Sequence, residues 1–135
     1  MVTIGGVSCG PVTISDSTSA GWVSVANGPL LLRCWWSAPA DVRHDINKIS
    51  TANRVYIVLP EVFGVNAWVR SVADRLAAQG IPALAVPLFA RTAPDLDLAY
   101  KASDLAQGRA HKDATKAPQI LSDVSAAVAW LQQRC

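Results

Sequence analysis

The sequence predicts an α/β fold, an antiparallel hairpin followed by strand–helix–strand–helix, and three stretches carry that reading. The first is Arg54-Val-Tyr-Ile-Val-Leu-Pro60, a continuous apolar run rich in β-branched residues and without polar alternation. Such a run suits a central strand of a parallel sheet, covered on both faces. The second is residues 67–79, where Val69, Val72, Ala73, Leu76 and Ala77 share one helical stripe. Arg70, Ser71, Asp74 and Arg75 fall mostly on the other side, the pattern of a helix lying on a core. Asn66 is a capping residue for its start, and Gly80 is a glycine stop for its end. The third is Pro82-Ala-Leu-Ala-Val-Pro87, a second short apolar strand. It completes a strand–helix–strand unit whose crossover should be right-handed.

The remaining elements follow in order. Residues 1–20 are rich in Ser, Thr and Gly and read as a loose lead-in with at most one edge strand. Two β-rich runs, 22–26 and 30–36, flank Asn27-Gly28, a dipeptide that tolerates the positive φ of a tight turn, so they predict a hairpin. Residues 39–53, which include His44, are polar and predict a surface connection. Residues 88–117 form a long connection, and one this long is usually functional or contains a short helix. The last helix is expected over 118–133, with Ile120, Leu121, Val124, Ala127, Val128 and Leu131 as its buried stripe. The whole reads as one domain over 1–135: lead-in (1–20), hairpin and connection (21–53), and a βαβα unit (54–135).

Composition narrows the function. With 51% hydrophobic and 16% charged residues the chain forms a core rather than remaining disordered. Its 12 basic and 10 acidic side chains are too balanced and scattered for a nucleic-acid stripe. No apolar run reaches the length of a membrane span, and the N-terminus lacks the pattern of a signal peptide. Cys9, Cys34 and Cys135 are odd in number and far apart, which fits reduced thiols in a cytoplasmic protein better than a disulfide framework. His44 and His111 have no second ligand at metal spacing, and neither GxxxxGK nor GxGxxG occurs, so no metal or cofactor is expected. Trp35 and Trp36 should face opposite sides of their strand, while Trp68 and Trp130 should pack on helices.

Leu59-Pro-Glu-Val-Phe-Gly-Val-Asn66 resembles the segment after the third strand of dienelactone hydrolases, which are α/β-hydrolases. The likeness continues through Arg70–Gly80, Pro87-Leu-Phe-Ala-Arg-Thr-Ala-Pro94, Gly108–Thr115 and the final helix, covering roughly residues 54–133. It implies a partial α/β-hydrolase, a three-layer sandwich. It also implies hydrolysis of a small ester or lactone carrying a carboxylate, by a cysteine (serine in some members) with histidine and aspartate. Carried over by position, Glu61 matches the glutamate that helps deprotonate the cysteine, a useful base because a free thiol near pKa ~8.5 is mostly protonated at neutral pH. The Val62 backbone N–H matches half of the oxyanion hole, and Arg91 matches an arginine that pairs with the substrate carboxylate. Without the resemblance, Arg91 reads equally as a surface loop arginine and Glu61 as a loop carboxylate, although the flanking Pro60, Val62 and Phe63 argue against its full exposure.

The chain departs severely from the pattern. No Gly-x-Cys-x-Gly elbow occurs, and the later acid and histidine segments are not among these residues. Cys135 sits at a helix end without flanking glycines. The sequence therefore predicts a fold truncated before the nucleophile strand and inactive alone. The backbone edge of residues 55–59 is expected to be bare, favouring a homo-oligomer or a complementing chain. Three functions fit: an inert hydrolase half, one half of a two-chain hydrolase, or a non-enzymatic module that binds a small carboxylate.

Overall fold

In the computed structural model the described residues are 3–8, 20–38 and 54–134. Among them, strands β1 (Thr3–Ser8), β2 (Ala20–Asn27), β3 (Leu30–Ser37), β4 (Arg54–Leu59) and β5 (Ala83–Ala85) form one sheet in the order β1-β4-β5-β3-β2. Helices α1 (Ala67–Ala78), α2 (Ala102–Asp113) and α3 (Ala117–Arg134) accompany it. The 39–53 connection with His44, and both Cys9 and Cys135, lie outside the described residues.

The sheet is mixed. β4 and β5 run parallel, whereas β3 lies antiparallel to β5, and β1 antiparallel to β4. The expectation of a bare β4 edge is corrected here: β1 pairs along the whole strand, from Thr3 opposite Leu59 to Ser8 opposite Arg54. Part of the lead-in thus supplies a partner for backbone groups that would otherwise template another chain. The hairpin turn is also more specific than expected. Its central residues are Gly28, at φ 61, and Pro29, because Asn27 is already paired with Leu30. Positive φ at the first central position followed by a ring-fixed negative φ suits a two-residue turn that matches strand twist.

Alternation along the strands divides the core between two helices. Leu32, Cys34, Trp36, Val55, Ile57 and Leu84 are buried with Ala127 and Leu131 of α3. Val58, Ala83 and Ala85 are buried on the opposite face with Val69 and Ala73 of α1. Helix–sheet–helix is therefore the three-layer arrangement that the sequence implies. Trp36 meets Trp130 of α3 edge-to-face at 5.6 Å, whereas Trp35 donates its indole N–H to Asp74 of α1 at 3.0 Å. The two adjacent tryptophans thus serve opposite faces, as strand alternation requires.

Helix α1 has both of its expected ends. The Asn66 side chain accepts from the Val69 N–H at 3.1 Å. At the other end the N–H groups of Gly80 and Ile81 bond back to the carbonyls of Ala77 and Leu76, with Gly80 at φ 89. This is the double bond of a glycine-terminated helix. Helix α3 departs from its expected stripe. Leu121 is 67% exposed, and Asp123, absent from the predicted stripe, is fully buried. A carboxylate is tolerated there because Arg91 and Asn27 both donate to it.

Cys34 is fully buried between the sheet and α3. Burial, and then the Asp123 carboxylate, push its thiol from 9.0 up to about 12. The folded chain holds a proton that the unfolded chain releases above pH 9.0, so stability is unaffected below that pH and falls between 9.0 and about 12. The slope should approach ~1.4 kcal/mol per pH unit. Urea midpoints of the chain and of Cys34→Ala, compared from pH 8 to 11, should converge as pH rises. Parallel midpoints would show that this thiol does not carry the alkaline loss.

Candidate functional site

Two segments leave the carboxyl ends of the parallel strands β4 and β5, the end of an α/β sheet where ligands bind. The first is the turn 60–66. Glu61 is half-buried, and its carbonyl accepts from the Gly64 N–H at 3.3 Å, while the Asn66 N–H bonds to the Gly64 carbonyl at 2.9 Å. Neither bond uses the Val62 N–H, the group assigned to the oxyanion hole.

The turn is clamped from outside. Gly64 stands at φ 79, where an added Cβ would strike the Leu96 carbonyl, and forms a bridge with Asp97. The Leu98 N–H bonds to the Phe63 carbonyl at 2.9 Å, and Asn66 Nδ2 donates to the Leu98 carbonyl at 3.0 Å. Phe63 and Tyr100 meet edge-to-face at 4.6 Å. On another side, Gly108 of α2 lies directly on the Val62 backbone, and a Cβ there would be 2.9 Å from the Val62 carbonyl carbon. Glu61 and Val62 therefore sit on a turn whose shape is fixed by two neighbouring segments, 96–100 and α2, the precondition for aimed hydrogen-bond donors.

Gly108 offers a test with an unusual sign. Alanine is favoured over glycine by about 1 kcal/mol inside a helix. Gly108→Ala should nevertheless destabilise the chain by ~1–3 kcal/mol, because its methyl overlaps the Val62 backbone. A stabilised variant in urea unfolding would show that α2 does not bear on the turn.

The second segment carries Arg91. Its Nη1 donates to Asp123 Oδ2 at 2.7 Å and to the Gln119 carbonyl at 3.3 Å, both on α3. The Asp123 side chain is 0% exposed and that of Arg91 28%. Asn27 Nδ2 donates to the other Asp123 oxygen at 2.8 Å and to Ser122 Oγ at 3.0 Å. Glu61 and Val62 are thus together on one turn, and none of these Arg91 bonds reaches it. Arg91 retains an exposed part for a further acceptor. His111 lies nearby, its Nδ1 2.9 Å from Thr92 Oγ1.

Asp123 carries no sequence signal as a site residue, Asn27 reads from sequence only as a turn residue, and Gly64 and Gly108 only as parts of the matching stretches. Asp123 was legible in one respect, as a lone acid beside an apolar stripe. The sequence also carries an elbow-like spacing, since Gly6-Val-Ser-Cys-Gly10 fits Gly-x-Ser-x-Gly. The register argues against a pairing with Glu61. Ser8 lies opposite Arg54, at the far end of β4, and that strand is roughly 17 Å long. Among the described residues no group of three or more His, Cys, Asp or Glu could hold a metal ion, and no helix is long and apolar enough to cross a membrane.

A mixed sheet between two helices, with a fixed turn after β4, fits a partial α/β fold, and comparison with known proteins gives the family. A sequence model of the dienelactone hydrolase family matches residues 44–135, and the chain belongs to that family. Over 78 residues it is 40% identical to a putative carboxymethylenebutenolidase of Synechocystis sp. (strain ATCC 27184 / PCC 6803 / Kazusa). The match covers 58% of this chain and 32% of that protein, so the chain spans about a third of its relative's length.

Proposed function

We propose that the chain supplies the base-and-oxyanion half of an active site that hydrolyses a small ester or lactone carrying a carboxylate. Glu61 is the base that draws the proton from a nucleophilic thiol. The Val62 N–H donates to the oxyanion of the tetrahedral intermediate, and Arg91 anchors the substrate carboxylate while Asp123 holds its other side. The nucleophile, histidine and acid come from residues outside these 135, and the chain alone is inactive. The observation that carries this reading is the clamped turn after β4, where Gly64 and Gly108 fix the backbone of Val62.

The two-chain form of this reading requires a complementing strand to displace β1 from β4 or to add to the outer edge of β1. The test joins this chain to the part of the Synechocystis relative that follows the matched segment, and measures ester hydrolysis. Thiol-sensitive turnover should appear, and Glu61→Gln should lower it about 100-fold. Equal turnover in both forms would remove Glu61 from the mechanism.

A further inference from the structure

On the α1 side of the hairpin, Trp22 and Trp35 stand opposite each other in the β2–β3 register and meet edge-to-face at 5.1 Å. The Arg33 guanidinium lies 4.3 Å from the Trp22 ring centroid, and that of Arg70 5.3 Å. Beside them opens a small cleft, lined by Trp22, Arg33, Val65, Pro87, Pro94 and Leu96. Asp95 and Asp97 complete its boundary. Trp22 remains 39% exposed. Indole, proline and aliphatic surfaces suit a flat apolar body laid against them rather than enclosed.

The charges decide the rest of the ligand. Arg70 donates to the Val65 carbonyl at 2.8 Å as well as to Asp97 at 3.1 Å, and its side chain is 22% exposed, so it is tied into the fold. Arg33 makes a single contact with Asp95 at 3.1 Å, and these side chains are 48% and 66% exposed. Such a pair is weak and screened by salt. Its members are unequally held. Arg33 sits within β3, between β2 and β5, whereas Asp95 sits in irregular backbone. The arginine stays in place and the aspartate is the replaceable partner.

We propose that this cleft binds a small aryl carboxylate, its ring against Trp22 and the prolines and its carboxylate replacing Asp95 on Arg33. The guanidinium fork can offer a ligand carboxylate two parallel donors where Asp95 takes one. The site is independent of the hydrolase reading, because Arg91 is bonded to α3, which covers the opposite face of the sheet.

Benzoate titrated into the full chain, followed by the indole N–H resonances of the tryptophans, tests it. A saturable shift should appear at Trp22. Arg33→Gln should weaken binding at least ten-fold, and Arg33→Lys, which keeps the charge without the fork, should fall between. Asp95→Asn should tighten binding roughly two- to five-fold, since it removes the competing carboxylate. Arg91→Lys should leave the titration unchanged. Absence of a saturable shift, binding that survives Arg33→Gln, weaker binding in Asp95→Asn, or a preference for benzylamine over benzoate would each overturn the proposal.

Discussion

Arg91→Ala should lower the stability of the chain by about 3 kcal/mol, and Asp123→Ala should lower it by less. The asymmetry comes from where the two charges sit. The Asp123 side chain is 0% exposed, so removing Arg91 leaves its carboxylate buried with the Asn27 amide as its remaining donor among the described residues. The Arg91 side chain is 28% exposed, so water reaches the guanidinium that Asp123→Ala leaves behind. Urea unfolding of the chain, both single variants and the double variant gives the order and the coupling. Equal losses under ~1 kcal/mol would mean that the pair behaves as a solvated surface bridge. There is a functional corollary. Lost carboxylate binding in Arg91→Ala would mix lost recognition with lost structure, and Arg91→Lys is the better probe of the anchor.

Gly64→Ala should cost ~2–4 kcal/mol, well beyond Gly28→Ala, although both glycines have positive φ. At Gly28, φ 61, an added Cβ would meet nothing within 4 Å, so only the backbone preference is lost, about 1–2 kcal/mol. At Gly64, φ 79, the same atom would also strike Leu96, whose carbonyl carbon would be 2.7 Å away. Relief requires the segment 96–98 to move, and that segment accepts from Asn66 and donates to the Phe63 carbonyl. The variant should therefore loosen the cap of α1 and the Glu61–Val62 turn together. A Gly64→Ala loss no larger than that of Gly28→Ala would show that the 96–98 segment yields freely and does not fix the turn.

The elements that were legible in the sequence bury an unambiguous pattern. Residues 54–60 and 67–80 announced β4 and α1 because continuous apolar runs and 3.6-residue periodicity are imposed by the core itself. The hairpin and the close of α1 were legible through Gly28 and Gly80, whose φ is set by local geometry. Helix α2 was hidden inside the 88–117 connection because only Gly108 within it is buried. With no apolar stripe, its sequence carries no period to read. The pairing of β1 with β4 was illegible for another reason: sheet order is decided between segments about fifty residues apart, not within either one.

The candidate site divides in the same way. Motif order pointed to Glu61, Val62 and Arg91, and the fold places the first two on one clamped turn. It could not point to Asp123, whose burial depends on Arg91 and Asn27 arriving from separate elements. Nor could spacing judge Gly6-Val-Ser-Cys-Gly10, since only the antiparallel register of β1 sets Ser8 at the far end of β4 from Glu61.

The most direct test of the central claim, half an active site without its nucleophile, is hydrolysis of a dienelactone by the purified chain before and after thiol alkylation. Cys34 is fully buried and its thiol is held up to about 12, so alkylation of the folded chain should leave it untouched. The expected result is no rate above buffer in either sample. A rate that alkylation abolishes would contradict the claim, because one of the three cysteines would then serve as the nucleophile.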